Sequence, residues 1–210
     1  MTADPARFWD KIARKYARDP IGDQAGYERT LEAVAGRLAP DHRVLELGCG
    51  TGTTALRLAS GVAQYVASDV SAEMIAIGRE KAQDAGLPQL SFEVATAEAA
   101  PGPEGQFDVV LAFNLFHLIE DRRAALEGAR RLLKPGGLLI SKTPLLKEMN
   151  PLIRVVIPLM QAIGKAPPVV VFDANELERD LTAAGFEIVE RDRHGSGAKD
   201  PRVYLVAVKA

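Results

Sequence analysis

A chain of 210 residues is long enough for one domain with a full core and short for two, and 47% hydrophobic with 26% charged residues is the balance of an ordinary water-soluble protein. A formal net charge of -2 and a pI near 6.0 exclude the broad positive field with which nucleic-acid binders attract phosphates. The single cysteine, Cys49, excludes an intrachain disulfide; Met1 to Phe8 lack the apolar core of a secretion signal, and no run reaches the roughly 18 uncharged apolar residues of a membrane span, so a cytoplasmic protein is expected.

In chain order, the apolar periodicity predicts helices from Ala6 to about Arg18 and from Gln24 to about Leu38. The rhythm changes at Arg43. Val44-Leu45-Glu46-Leu47 reads as a strand, Leu56 to Ala59 lies on the following helix, and Tyr65 to Ser68 is the next strand, which makes a first βαβ unit. A helix from Ala72 to about Ala85, closed by Gly86 and Pro88, leads to a strand over Leu90–Val94. Then come a strand over Phe107–Ala112, a helix from Asp121 to about Leu133, a turn at Lys134-Pro135-Gly136-Gly137 and a strand over Leu138–Lys142. Beyond these, Asn175–Ala184 reads as a helix ended by Gly185, and the strands Phe186–Glu190 and Arg202–Val208, joined by the polar turn His194-Gly195-Ser196-Gly197, are antiparallel neighbours. Alternating strands and helices imply a doubly wound α/β domain with a mainly parallel sheet covered on both faces.

Between the first strand and its helix lies Glu46-Leu47-Gly48-Cys49-Gly50-Thr51-Gly52. Alternate glycines let the chain turn tightly and bring its backbone close to a ligand. The dinucleotide-binding pattern would carry its third glycine one position later, where Thr53 stands, and no phosphate-binding lysine follows the loop. Asp69, at the tip of the second strand, is placed to accept both hydroxyls of a ribose; capping the next helix is the other use of a carboxylate there, but Ser71 is the better cap. Cys49 has no recognisable base beside it and serves the geometry of the loop rather than acting as a nucleophile.

This loop, together with Phe107-Asp108-Val109-Val110 and Leu132-Leu133-Lys134-Pro135-Gly136-Gly137, resembles the class I S-adenosylmethionine (SAM)-dependent methyltransferases over Val44 to about Ile140. The resemblance implies a Rossmann-like seven-stranded sheet in the order 3-2-1-4-5-7-6 with the last strand antiparallel, a single domain over 1–210, and SAM as cofactor with no metal. It further implies that Glu46 organises the loop and serves the methionine ammonium, that Gly48, Cys49, Gly50 and Gly52 line the methionine part, that Asp69 holds the ribose, and that Val70 and Met74 pack on the adenine. Where many members place an aspartate for the adenine amino group this chain has Thr96, whose hydroxyl accepts one hydrogen bond, and the backbone NH of Ala97 reads the ring.

On the acceptor side, an in-line methyl transfer asks chiefly for alignment, so a catalytic dyad need not exist. Three residues are candidates for catalysis. Asn114 follows the fourth strand and would orient the acceptor or stabilise its loop; His117 would be a general base or a packed core histidine; Tyr16, on a helix resembling the entry segment of quinone and other small-molecule methyltransferases, would close the pocket or simply pack. Tyr27 has a weaker claim of the same kind. Residues 1–40 are expected to cover the site in part. The apolar segment 144–172 is read as a small helical cap over an apolar acceptor, with a dimer interface or a peripheral membrane contact as the other uses of such a surface. The expected function is SAM-dependent methylation of an O, N or S atom of a small, apolar or lipid-like molecule by a monomer or homodimer. The alternatives are a non-catalytic SAM-binding sensor or partner subunit and a nicotinamide-dependent oxidoreductase; a nucleic-acid partner is not expected.

Overall fold

Strands and helices alternate because apolar runs short enough for strands are separated by capped, amphipathic helical stretches. The computed structural model describes residues 5–197 and 200–210, so Met1–Asp4 of the N-terminal stretch lie outside the described residues. The chain runs α1 (Pro5–Tyr16), α2 (Gln24–Ala35), β1 (Arg43–Leu47), α3 (Thr53–Leu58), β2 (Gln64–Asp69), α4 (Ala72–Ala85), β3 (Leu90–Val94), β4 (Phe107–Phe113), α5 (Arg122–Leu132), β5 (Leu133–Pro144), α6 (Ile153–Ala162), α7 (Ala174–Ala183), β6 (Phe186–Asp192) and β7 (Arg202–Lys209).

The helix ends follow their caps. Ser71 accepts a hydrogen bond from the Met74 NH at the start of α4, and Gly86 closes it in the left-handed region. Asp121 accepts from Ala124 to start α5, and Asp173 with Glu176 forms a reciprocal capping box on α7. Each such cap contributes about 0.5–2 kcal/mol.

The seven strands form one sheet in the order β3-β2-β1-β4-β5-β7-β6, with β7 antiparallel to both of its neighbours. One face buries Leu45, Leu47, Val110, Leu139 and Leu205 against Leu126 and Leu132 of α5 and Leu177 and Leu181 of α7. The other buries Val44, Tyr65, Leu111, Ile140 and Tyr204 with Leu31 and Val34 of α2 and Ala55 and Leu58 of α3. Since β2 lies on one side of β1 and β4 on the other, the chain reverses its winding there and opens a crevice at the strands' carboxyl ends.

Three local expectations are corrected. Lys134–Gly137 is not a turn before the fifth strand but part of it: β5 begins at Leu133, and the extra residues bulge between the pairs Phe107–Leu133 and Val109–Leu138. The helix after the glycine loop is only six residues long and tightens into a 3-10 turn over Ala59–Gly61, which brings the chain back early to β2. The second α-helix ends at Ala35, beyond which the chain tightens into i→i−3 turns, the Arg37 and Leu38 NH groups donating to the Val34 and Ala35 carbonyls.

Candidate functional site

The loop at the tip of β1 is built by three left-handed glycines, Gly48, Gly50 and Gly52, with φ of +66°, +55° and +75°. The Cys49 NH donates to the Ser68 carbonyl at 2.9 Å and the Gly52 NH to the Cys49 carbonyl at 3.0 Å, which clamps the loop to β2. A Cβ on Gly48 would lie 2.6 Å from Leu115 and one on Gly52 2.6 Å from the Phe92 ring, so these two glycines admit neighbours from β4's end and from β3. Gly50 differs, since among the described residues its Cβ would meet only Tyr16, at 3.5 Å, and its backbone therefore faces the crevice.

Asp69 spans the gap between the loop and α4. One carboxylate oxygen accepts from the Gly50 NH and the other from the Ser71 NH, both at 2.9 Å. Each oxygen keeps a lone pair for a further donor. Burial raises its pKa above the ordinary aspartate range, against the lowering by these hydrogen bonds. Glu46 is 3% exposed and accepts a 2.9 Å hydrogen bond from the Tyr65 hydroxyl. Burial first, and the Asp69 charge after it, push the Glu46 carboxyl up to about 8, so it carries a proton at neutral pH. The Cys49 thiol, buried and directed at the Gly50 carbonyl, is likewise pushed up by burial and stays protonated.

Farther along the rim, Val70 is half-buried and Met74 fully buried beneath the start of α4. The Thr96 hydroxyl is exposed but already accepts from the Ala99 NH at 3.2 Å, while Ala97 is buried with its carbonyl near Gly128 of α5. On the other side Asn114 has φ +51°, the one non-glycine among the described residues in the left-handed region, and its NH donates to the Lys142 carbonyl at 2.7 Å. That turn exposes its side chain at the tip of β4, and asparagine tolerates it better than most residues. His117 sits in the 3-10 turn Phe116–Leu118, its Nδ1 buried without a partner among the described residues. Burial pushes its pKa down to about 4, so the ring is neutral.

Tyr16 ends α1 over Gly50, edge-on to Trp9 at 6.2 Å, and is 48% exposed. Burial of its hydroxyl, then the Asp69 and Glu46 charges, hold the phenol above its usual range. Tyr27 on α2 reaches Thr54 Oγ1, 3.4 Å away, just past the loop. The loop, Glu46, Asp69 and Tyr16 thus share one crevice, and the Leu115 contact joins it to the segment carrying Asn114 and His117.

A methyltransferase-domain sequence profile matches residues 44–137, from β1 through the bulge that opens β5. The chain is 38% identical over 147 residues to a ubiquinone/menaquinone biosynthesis C-methyltransferase of Shewanella frigidimarina, a match that covers 64% of this chain and 57% of the relative. It is 34% identical over 129 residues to an uncharacterized methyltransferase of Bacillus subtilis, covering 61% of this chain and 51% of that one. In this chain residues 44–137 form a methyltransferase domain of the class I SAM-dependent type. Its matched part spans little more than half the length of those curated relatives. Among solved structures, that of the [4+2]-cyclase SpnF superposes with a TM-score of 0.72 at 25% identity, covering 86% of this chain and 80% of that one.

The cofactor that this family uses is SAM, and the residues present fit it. The open Gly50 backbone, the bridging Asp69 carboxylate and the buried Glu46 offer, in turn, a surface for close approach, acceptors for ribose hydroxyls and a carboxyl that would become the counter-ion of an ammonium group on losing its proton.

Three contributors to this crevice left no local signal in the sequence. Asp10 of α1 accepts from Ser71 Oγ at 2.6 Å and from the Glu73 NH at 3.2 Å, and so anchors the helix that carries Tyr16. Tyr65 is the partner of Glu46; a buried tyrosine on a central strand demands one, but only pairing of β1 with β2 says which. Phe92 fills the space left by Gly52 and by Gly78 of α4.

The protonated Glu46 makes a measurable demand on SAM binding. To serve an ammonium it must ionise, so SAM affinity is expected to rise with pH towards about 8, by up to about tenfold per unit for one proton released. Calorimetry at pH 7 in buffers of different ionisation enthalpy reads the released proton directly, and Glu46→Gln abolishes it. For folding the sign is opposite: a carboxyl raised from 4.5 to about 8 stabilises most below its unfolded pKa, and that contribution fades as pH rises to 8.

Proposed function

We propose that this protein transfers the methyl group of SAM to a small, apolar or lipid-like acceptor. The observation that carries this reading is the Asp69 carboxylate bridging the Gly50 and Ser71 NH groups beside an open glycine backbone. The family relationship supports the cofactor. A relative named as a C-methyltransferase supports adding carbon to the nitrogen, oxygen and sulfur acceptors expected from the residues alone.

Bound SAM supplies an activated methyl on its sulfonium, and the chain's own residues bind, align and keep water out. Gly48, Cys49, Gly50 and Gly52 form the cradle for the methionine part, Glu46 serves its ammonium and Asp69 its ribose. Val70, Met74, Thr96 and Ala97 form the adenine side. Tyr16, fixed by Asp10 through α1, closes the crevice from above, as the expected cover by residues 1–40 requires.

Asn114 presents its amide to the acceptor from a turn that holds it in place. His117 is neutral, and with a pKa near 4 it retains a proton poorly, so its part at the acceptor side is orientation more than base catalysis. The segment 144–172 forms the outer wall of the acceptor side. Its ends are tied to the rim by the Val170 NH donating to the His117 carbonyl at 2.7 Å and the Lys147 NH donating to the Phe172 carbonyl at 3.3 Å.

A second reading, a SAM-binding protein that transfers no methyl, is favoured by the likeness to a structure named for a cyclase. Titration with SAM, S-adenosylhomocysteine and NAD, followed by incubation of methyl-labelled SAM with acceptor mixtures that include quinols and phenols, decides. Tight SAM binding with label transfer is expected. A filled site that never transfers label leaves the second reading, and NAD binding without SAM binding overturns both.

A further inference from the structure

Most apolar residues of α6 and of its two flanking positions are exposed. Leu152, Val155, Val156, Leu159 and Ile163 are 67%, 71%, 49%, 70% and 61% exposed, while Ile153, Ile157 and Gln161, four residues apart, are half-buried and, among the described side chains of the helix, form the line that rests on the body. The exposed arc is therefore wide and covers most of the helix circumference. A helix apolar nearly all round is at rest in a protein core or in lipid, not in water. At ten residues, about 15 Å, it is too short to cross a bilayer of about 30 Å, and no helix among the described residues is long and apolar enough to do so.

Charge selects the occupant. Residues 149–172 contain no Asp or Glu and two basic residues, Arg154 and Lys165, in a chain that holds 28 acidic residues and has a net charge of -2. The acidic groups that flank this stretch are paired: Glu148 with Arg193 at 2.6 Å, and Asp173 and Glu176 with Lys147 at 3.7 and 2.6 Å. A second copy of the chain is a poor match, since a two-fold contact would set this positive stretch against itself with no carboxylate from within it to answer. An anionic lipid surface matches both the width of the arc and the sign of the charge.

We infer that α6 lies in the surface of an anionic membrane, with Val155, Leu159 and Ile163 sunk among the acyl chains and Lys165 at the level of the headgroups. The surface stands on its own evidence; its use rests on the proposed lipid-like acceptor, which would leave the bilayer beside the segment tied to His117 and enter the crevice without crossing water.

Flotation of the full chain with vesicles of phosphatidylcholine alone, and of phosphatidylcholine mixed with phosphatidylglycerol, tests this. The chain is expected to float with the mixed vesicles and far less with the neutral ones, more strongly at low salt. The exposed double substitution Val155→Asp with Leu159→Asp should lower the partition at least about tenfold, the scale of losing two buried aliphatic side chains, and Lys165→Glu should lower it by a smaller factor. SAM affinity, titrated on the same samples, should be unchanged in all variants, because Val155, Leu159 and Lys165 are exposed and belong to none of the positions assigned to the cofactor. Failure to float with either vesicle, equal flotation of wild type and the double variant, or a dimer in analytical ultracentrifugation that the double variant abolishes each overturns the inference. Loss of SAM binding in the wild type with flotation intact would defeat the methyltransferase reading and leave this one standing.

Discussion

Asp69→Ala weakens SAM binding by about 1.5–3 kcal/mol, roughly tenfold to a hundredfold or more, the range for hydrogen bonds to a charged group. The carboxylate has two duties that the substitution removes together. It accepts from the Gly50 and Ser71 NH groups, so its loss leaves two backbone donors without acceptors and loosens the glycine loop. In the proposed complex it also receives the ribose hydroxyls on its remaining lone pairs. A cycle separates the duties: titrating wild type and variant with SAM and with a 3′-deoxyribose analogue should show the analogue penalised on wild type and not on Asp69→Ala. Asp69→Asn, which keeps one oxygen, should fall between. Unchanged SAM affinity in Asp69→Ala would remove this residue from the site, and equal penalties for the analogue on both proteins would confine it to holding the loop.

Gly52→Ala is expected to be the most damaging small change in the loop. Its φ of +75° costs an alanine about 1–2 kcal/mol, and the new methyl would stand 2.6 Å from the Phe92 ring, which adds about 1–3 kcal/mol of overpacking. The sum lowers the melting temperature by roughly 4–20 °C in a domain of this size and is expected to shift the loop away from its proposed SAM-binding form. Gly86→Ala is the matched control. Its φ is +63° but nothing lies within 4 Å of its Cβ, so it should show only the backbone part, about 1–2 kcal/mol, with SAM affinity intact. Combining Gly52→Ala with Phe92→Leu should restore part of the stability. Calorimetric melting of the four proteins measures this, and a Gly52→Ala variant no less stable than Gly86→Ala would refute the collision with Phe92.

Much of the architecture is legible along the chain because its causes are local. Ser71 and Gly86 bracket α4, Asp121 starts α5, and apolar runs of strand length mark β1, β2 and β4, so their bounds fall within a residue or two of the expected ones. The bulge at Lys134–Gly137 was not legible: two glycines and a proline read as a turn, and only pairing with β4 on both sides of them keeps the strand continuous. The helix in 144–172 was legible only as an apolar surplus, since Pro151, Pro158, Pro167 and Pro168 obscure its period.

The sequence by itself determined the winding of the chain and the place of the crevice. A strand, three alternate glycines and a second strand ending in a carboxylate need no distant partner to be recognised, because the backbone freedom of glycine and the alternation of elements are properties of short segments. Tertiary structure alone decided the chemical state of what lines that crevice. Glu46 is neutral because the sheet buries it under Tyr65, His117 because its turn is covered, and Tyr16 stands over Gly50 because Asp10 catches the start of α4, 61 residues on. Desolvation and through-space charge depend on what is packed around a group, and that neighbourhood is assembled only when distant parts of the chain meet.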